Sequence, residues 1–131
     1  SINLLKILSV NGFLNADNLN LTANDSLHIA SFTNTNLAKI QFTELKELSS
    51  ISFNNCRALE SIYLSNNDKL NKIVLINNTS LEAEALNYIF RSLSQAPNTG
   101  GTIVLSGNKG DAICDRSIAT SKGWVFETVT R

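Results

Sequence analysis

Leucine returns every eleven residues at Leu48, Leu59, Leu70 and Leu81, and few folds can absorb so strict a beat. Within each interval an apolar residue follows at plus three and plus five: Ile51 and Phe53, Ile62 and Leu64, Ile73 and Leu75. Asn or Cys follows at plus eight, as Cys56, Asn67 and Asn78. The beat extends backwards through Leu37, with Ile40, Phe42 and, in place of Asn, Leu45. A ten-residue unit opens at Leu27 with Ala30 and Phe32, and a unit at Ala16 carries Leu19, Leu21 and Asn24. The weakest unit opens at Leu5, with Leu8, Val10 and Phe13. These consecutive units span residues 5–80. A fixed short period points to like elements stacked on one another.

Positions two apart in an extended chain point to the same side, so plus three and plus five both face a core. Eleven residues are too few to wind once around that core, so a full circuit takes two units, about 21–22 residues. The Asn at plus eight lies where the strand ends, and its amide can satisfy backbone groups that the turn leaves unpaired. Asn24, Cys56, Asn67, Asn78 and Asn108 are therefore expected to form structural ladders. Cys56 is read as a ladder residue and Cys114 as a buried residue of the cap, in preference to a disulfide.

The beat breaks after Asn78. Leu86, Ile89, Phe90 and Leu93 mark one face of an amphipathic helix over 81–94, with Thr79 and Glu82 spaced as a capping box. Pro97 and Gly100-Gly101 end it, and Ile103, Leu105 and Asn108 then repeat the strand spacing. Asp115 is placed to cap a short helix over 116–121 that stops at Gly123. A last strand follows around Trp124–Val129, where Trp124 and Phe126 are large enough to cover the end of the core.

The L-x-x-L-x-L-x-x-N/C spacing is that of leucine-rich repeats, and the chain resembles this family over nearly its whole length. The resemblance implies a leucine-rich-repeat solenoid. This is an α/β, β-rich right-handed coil of stacked parallel strands with one amphipathic helix and a C-terminal α/β cap. It forms a single domain over 1–131, with repeats over 5–80 and helix, strand and cap over 81–131. The segments LEAEALNYIF, TIVLSGNKGDAICD and SIATSKGW look like the terminal portion of such proteins from bacterial cell surfaces and bacteriophage tails or virions. A virion or cell-surface setting is what that likeness implies.

Composition narrows the chemistry. Lys plus Arg and Asp plus Glu both total 11, which gives no electrostatic footprint for nucleic acid. No apolar run approaches the ~20 residues of a membrane span, so a soluble chain without membrane insertion is expected. The opening Ile2, Leu4, Leu5, Ile7, Leu8 stretch lacks the basic start and cleavage site of a signal peptide and is read as the first strand. Surface polarity comes instead from 18 Asn and 15 Ser. The carboxylates are scattered, and Glu82 and Glu84 do not share a helix face. His28 has no ligand motif around it and reads as a surface residue. The stretch Gly107 to Asp111 lacks the spacing and hydroxyl of a phosphate loop and reads as a turn of the cap. Neither catalytic residues, metal nor cofactor are expected.

Function is therefore sought on the outward strand positions. Alternate units place Ser9, Ser31, Ser52, Val74 and Val104 in one outward row, with Ile76 beside Val74. Val74, Ile76 and Val104 form an apolar strip, the kind of patch that marks an interaction surface. The other sheet shows Asn20, Gln41 and Tyr63, with Lys39 and Thr43, and reads as solvated. Tyr63 is the outlying candidate there. The N-terminal end has little sequence to cap it, so a protein partner or a second copy is expected to cover it. The expected function is a non-catalytic protein-binding module, or alternatively a structural assembly subunit.

Overall fold

The computed structural model describes residues 5–129 of the 131. Strands β1 (Ile7–Asn11), β2 (Asn18–Asn20), β3 (Ile29–Thr33), β4 (Lys39–Gln41), β5 (Ser50–Asn54), β6 (Ser61–Tyr63) and β7 (Lys72–Ile76) come first. They are followed by α1 (Ala83–Ser92), β8 (Thr102–Ser106), α2 (Ser117–Thr120) and β9 (Val125–Glu127). The expected opening strand begins at Ile7; Ile2 and Leu4 lie outside the described residues. The result is a β-rich α/β fold in which the strand pairings are parallel.

Up to β7 the strands alternate between two sheets, one ordered β1-β3-β5-β7-β8-β9 and the other β2-β4-β6. In the larger sheet Ile7 faces Ile29, Ile29 faces Ser50 and Ser50 faces Lys72, offsets of 22, 21 and 22 residues. Asn18, Lys39 and Ser61 repeat this in the smaller one with offsets of 21 and 22. Two eleven-residue units thus separate neighbouring strands, as their spacing requires. The next step lengthens to 30 residues, Lys72 to Thr102, because α1 intervenes.

The leucines of the beat are the core. Leu27, Leu37, Leu48, Leu59, Leu70 and Leu81 are all buried, each contributing about 1.5–3 kcal/mol of hydrophobic stabilisation. Phe32 and Phe53, on neighbouring strands, stack with centroids 4.9 Å apart, and Phe42 from the opposite side meets both edge-on. Both sheets therefore share one interior. The first unit packs least well: Leu5 is exposed, and Leu8 and Val10 are only partly buried.

The plus-eight ladder forms, with corrections. Asn78 Oδ1 accepts the Cys56 N–H at 3.0 Å, and Asn108 Oδ1 accepts the Asn78 N–H at 3.0 Å. Their amide nitrogens donate across the stack to the carbonyls of Phe53 and Leu75. Cys56 is a free thiol on the same rung, donating weakly to the Phe32 carbonyl. Thr35, unremarked in the sequence, fills the rung below and donates to Cys56 Sγ at 3.3 Å. On the other side Asn67 Nδ2 bonds the carbonyls of Phe42 and Leu45. Asn24 is half-buried, and its amide donates to Leu21 O in its own turn.

The residue before each rung is left-handed. Asn34, Asn55, Asn66 and Asn77 have φ of 56–59°, and Glu44 and Gly107 share the position. Asn adopts this region more readily than most residues, which accounts for the Asn-rich doublets. At Gly107 a Cβ would sit 2.1 Å from Asn77 Oδ1, so a larger residue there would push the Asn77 amide aside.

The C-terminal elements close the stack. Leu86, Ile89 and Phe90 of α1 are buried as the periodicity predicts. The capping box does not form: Glu82 is the N-cap without a side-chain bond, and its carboxylate lies 3.7 Å from Lys109. Asp115 Oδ1 does accept the Ser117 N–H at the start of α2. Trp124 is buried over Gly101, its indole N–H donating to Ser94 O, and Phe126 meets Phe90 edge-on. Cys114 is half-buried rather than buried, and its thiol is raised by burial.

Candidate functional site

Period-two alternation buries Ile73, Leu75 and Ile103 and turns Val74, Ile76 and Val104 outward. Register then aligns Ser9, Ser31, Ser52, Val74, Val104 and Glu127 as one row across the large sheet. Ile76 faces Ser106 in the next row. All three aliphatic candidates are half-buried, because strands on both sides crowd the middle of the sheet. The remaining outward row runs Ile7, Ile29, Ser50, Lys72, Thr102 and Val125. Its apolar members sit at the two ends, with Ile7 62% and Val125 58% exposed. Lys72 and Glu127 bring charge to this face, and its aliphatic members Val74, Ile76 and Val104 gather in the C-terminal half.

The ladder residues Cys56, Asn78 and Asn108 are internal and do not reach this face, and Asn67 is internal on the side of the smaller sheet. Tyr63 stands apart on the smaller sheet, where it is half-buried against Tyr88 of α1, ring centroids 5.7 Å apart. That face is thus partly roofed at one side rather than wholly solvated. The sequence held no local signal for this contact, since Tyr88 lies on the polar side of a helix in a different unit.

At the N-terminal end β1 and β2 are edge strands. Phe13 occupies a rung position yet is 84% exposed. The turn is held one residue later instead, where Leu14 and Asn36 exchange backbone-to-amide hydrogen bonds at 2.6 and 3.1 Å. A cleft of about 310 Å³ between Phe13, Thr35 and Arg57 marks the displacement.

Several charged groups are engaged in local pairs. Lys69 bonds Glu47 at 2.9 Å and, by hydrogen bond first and charge second, holds that carboxyl below its ordinary value of 4.5. Asn66 does the same for Glu44 by hydrogen bonding. His28, half-exposed, lies 3.9 Å from Glu47, a neighbour brought in by the strand offset rather than by sequence proximity. Ser49 Oγ donates to the His28 carbonyl, not to its ring. Lys122 Nζ donates to the carbonyls of Phe90, Arg91 and Leu93, closing the end of α1, and burial lowers its pKa. Gly110 packs against the start of α1, where a Cβ would lie 2.1 Å from Ala83 N. The Gly107–Asp111 stretch is occupied by packing and by the ladder, with Asp111 bonding Asn108.

Among the described residues no helix is long and apolar enough to cross a membrane, and no three His, Cys, Asp or Glu side chains are grouped to hold a metal ion. Comparison with protein families, curated proteins and solved structures yields no match to this chain.

Proposed function

We propose that this chain is a leucine-rich-repeat solenoid acting as a non-catalytic protein-binding module. The observation that carries the reading is the register of the large sheet, which sets Val74 opposite Val104 with Ile76 alongside. Side chains fixed on strands lose little freedom on binding, which favours recognition. The resemblance of the C-terminal segments to surface and virion proteins is what supports reading the module as virion-associated or bacterial surface-exposed. Val74→Asp combined with Val104→Asp is expected to abolish its association with the particle or complex from which the chain copurifies, while circular dichroism stays unchanged. Retained association by the folded double variant refutes the apolar strip as the contact.

The N-terminal end favours a second reading, an assembly subunit. Exposed Phe13 and Ile7 beside edge strands β1 and β2 suit contact with another copy. Sedimentation velocity separates the two readings. Concentration-dependent oligomers lost in Phe13→Ser support assembly, and a monomer at high concentration supports the recognition module.

A further inference from the structure

We propose that the corner between the small sheet and α1 is a binding site for a neutral saccharide, built around Tyr63 and Tyr88. Asn20, Gln41 and Tyr63 lie in register on the outer face of that sheet, so the row rises from amides to an aromatic ring as it nears α1. Tyr88 comes down from α1 and meets Tyr63 at an interplanar angle of 77° while remaining 41% exposed. A cleft opens on each side of the pair. One, of about 360 Å³, runs over the sheet past Lys39, Gln41 and Thr43; the other, of about 350 Å³, lies between Ser61, Glu84 and Ala85. Both fall within the size range of small-molecule sites.

The lining chooses the ligand. Beside the two rings the cleft over the sheet is lined by the amides of Asn18 and Gln41 and the hydroxyls of Thr43 and Ser65, which donate and accept hydrogen bonds as sugar hydroxyls do. An aromatic ring adds an apolar face for the C–H side of a pyranose. Glu84 is paired with Arg91 at 2.7 Å, which offsets its charge, and the carboxylate has further lone pairs to accept from a sugar hydroxyl. One lysine, Lys39, is too sparse a cation to hold a nucleic-acid backbone. The aliphatic centre that a protein interface wants lies on the other sheet. Apart from Thr43, in the turn after β4, and Ser65, which follows β6, the side chains named here stand on strands or on α1, which preorganises the site. This site stands independently of the protein-binding face.

The test is an NMR titration of the isotope-labelled full chain with cellotetraose, chitotetraose and tetragalacturonate, with a glycan array run in parallel. At least one neutral glycan is expected to shift the amide signals of Gln41, Tyr63 and Tyr88. Tyr88→Ala should weaken that binding about tenfold, the order expected for a lost aromatic contact. Tyr88→Phe should retain most of it, and Val74→Asp should leave it unchanged. The proposal is overturned if no neutral glycan binds, or if folded Tyr88→Ala binds as well as the parent. Salt-sensitive binding of tetragalacturonate alone, lost in Lys39→Gln, overturns it in favour of a simple charge site.

Discussion

The two ends of the buried ladder are built differently. At the C-terminal end Asn78 rests on Asn108, and Asp111 then accepts the Asn108 N–H at 2.9 Å, taking the place of a further rung. Above it Trp124, α2 and β9 cover the core. At the other end the rungs shrink from Asn to Cys56 and Thr35, and Phe13 swings outward. A repeating stack needs a terminator wherever it stops, because each rung is satisfied by the next one. The C-terminal end supplies its own; among the described residues the N-terminal end presents the edge strands β1 and β2 and the exposed side chains of Ile7 and Phe13.

The largest effect that would break this contrast is expected at Gly110. A methyl group there has no room against the Ala83 backbone, and Gly110→Ala should cost about 3–5 kcal/mol or prevent α1 from docking, as read by urea denaturation. Asn78→Ala comes next. It strands the buried Cys56 N–H and the Phe53 carbonyl, a loss of about 2–4 kcal/mol. Asn36→Ala, which removes the half-buried amide that bonds the Leu14 N–H and carbonyl at the other end, should cost only about 1 kcal/mol in the same assay. Equal losses at the two positions would erase the distinction between the ends.

Lys122→Met removes three bonds to carbonyls at the end of α1 and should lower stability by about 1–2 kcal/mol. The smallest effect concerns pH. Glu47 has a folded pKa below its ordinary 4.5, so its contribution is present above that value and is lost as pH falls through the folded one. Glu47→Gln should flatten this acid limb slightly in thermal melts between neutral and acidic pH. A steeper limb in the variant would contradict the pairing with Lys69.

The aliphatic beat was legible because each core position recurs at one spacing, so burial of Leu27 through Leu81 needed only counting. The outward row from Ser9 to Val104 followed from alternation within strands. The left-handed column was written in the Asn55-Cys56, Asn66-Asn67, Asn77-Asn78 and Gly107-Asn108 doublets, where attention to the second residue hid the demand on the first. Thr35 carries no Asn or Cys signal because the ten-residue unit joins the ladder through a hydroxyl instead of an amide. The Thr79–Glu82 box had the right spacing, yet Lys109 lies beside the glutamate. Tyr63 beneath Tyr88 depends on how α1 lies against β6, a packing angle that no local pattern encodes.

Amide hydrogen exchange tests the contrast between the ends most directly. The Cys56 and Asn78 amides, capped by buried Asn side chains, are predicted to exchange only through global unfolding. Amides of β1 and of the turn at Phe13–Leu14 should exchange through local opening, orders of magnitude sooner. Uniform protection from β1 to β8, or rapid exchange at Cys56 and Asn78, would contradict the account.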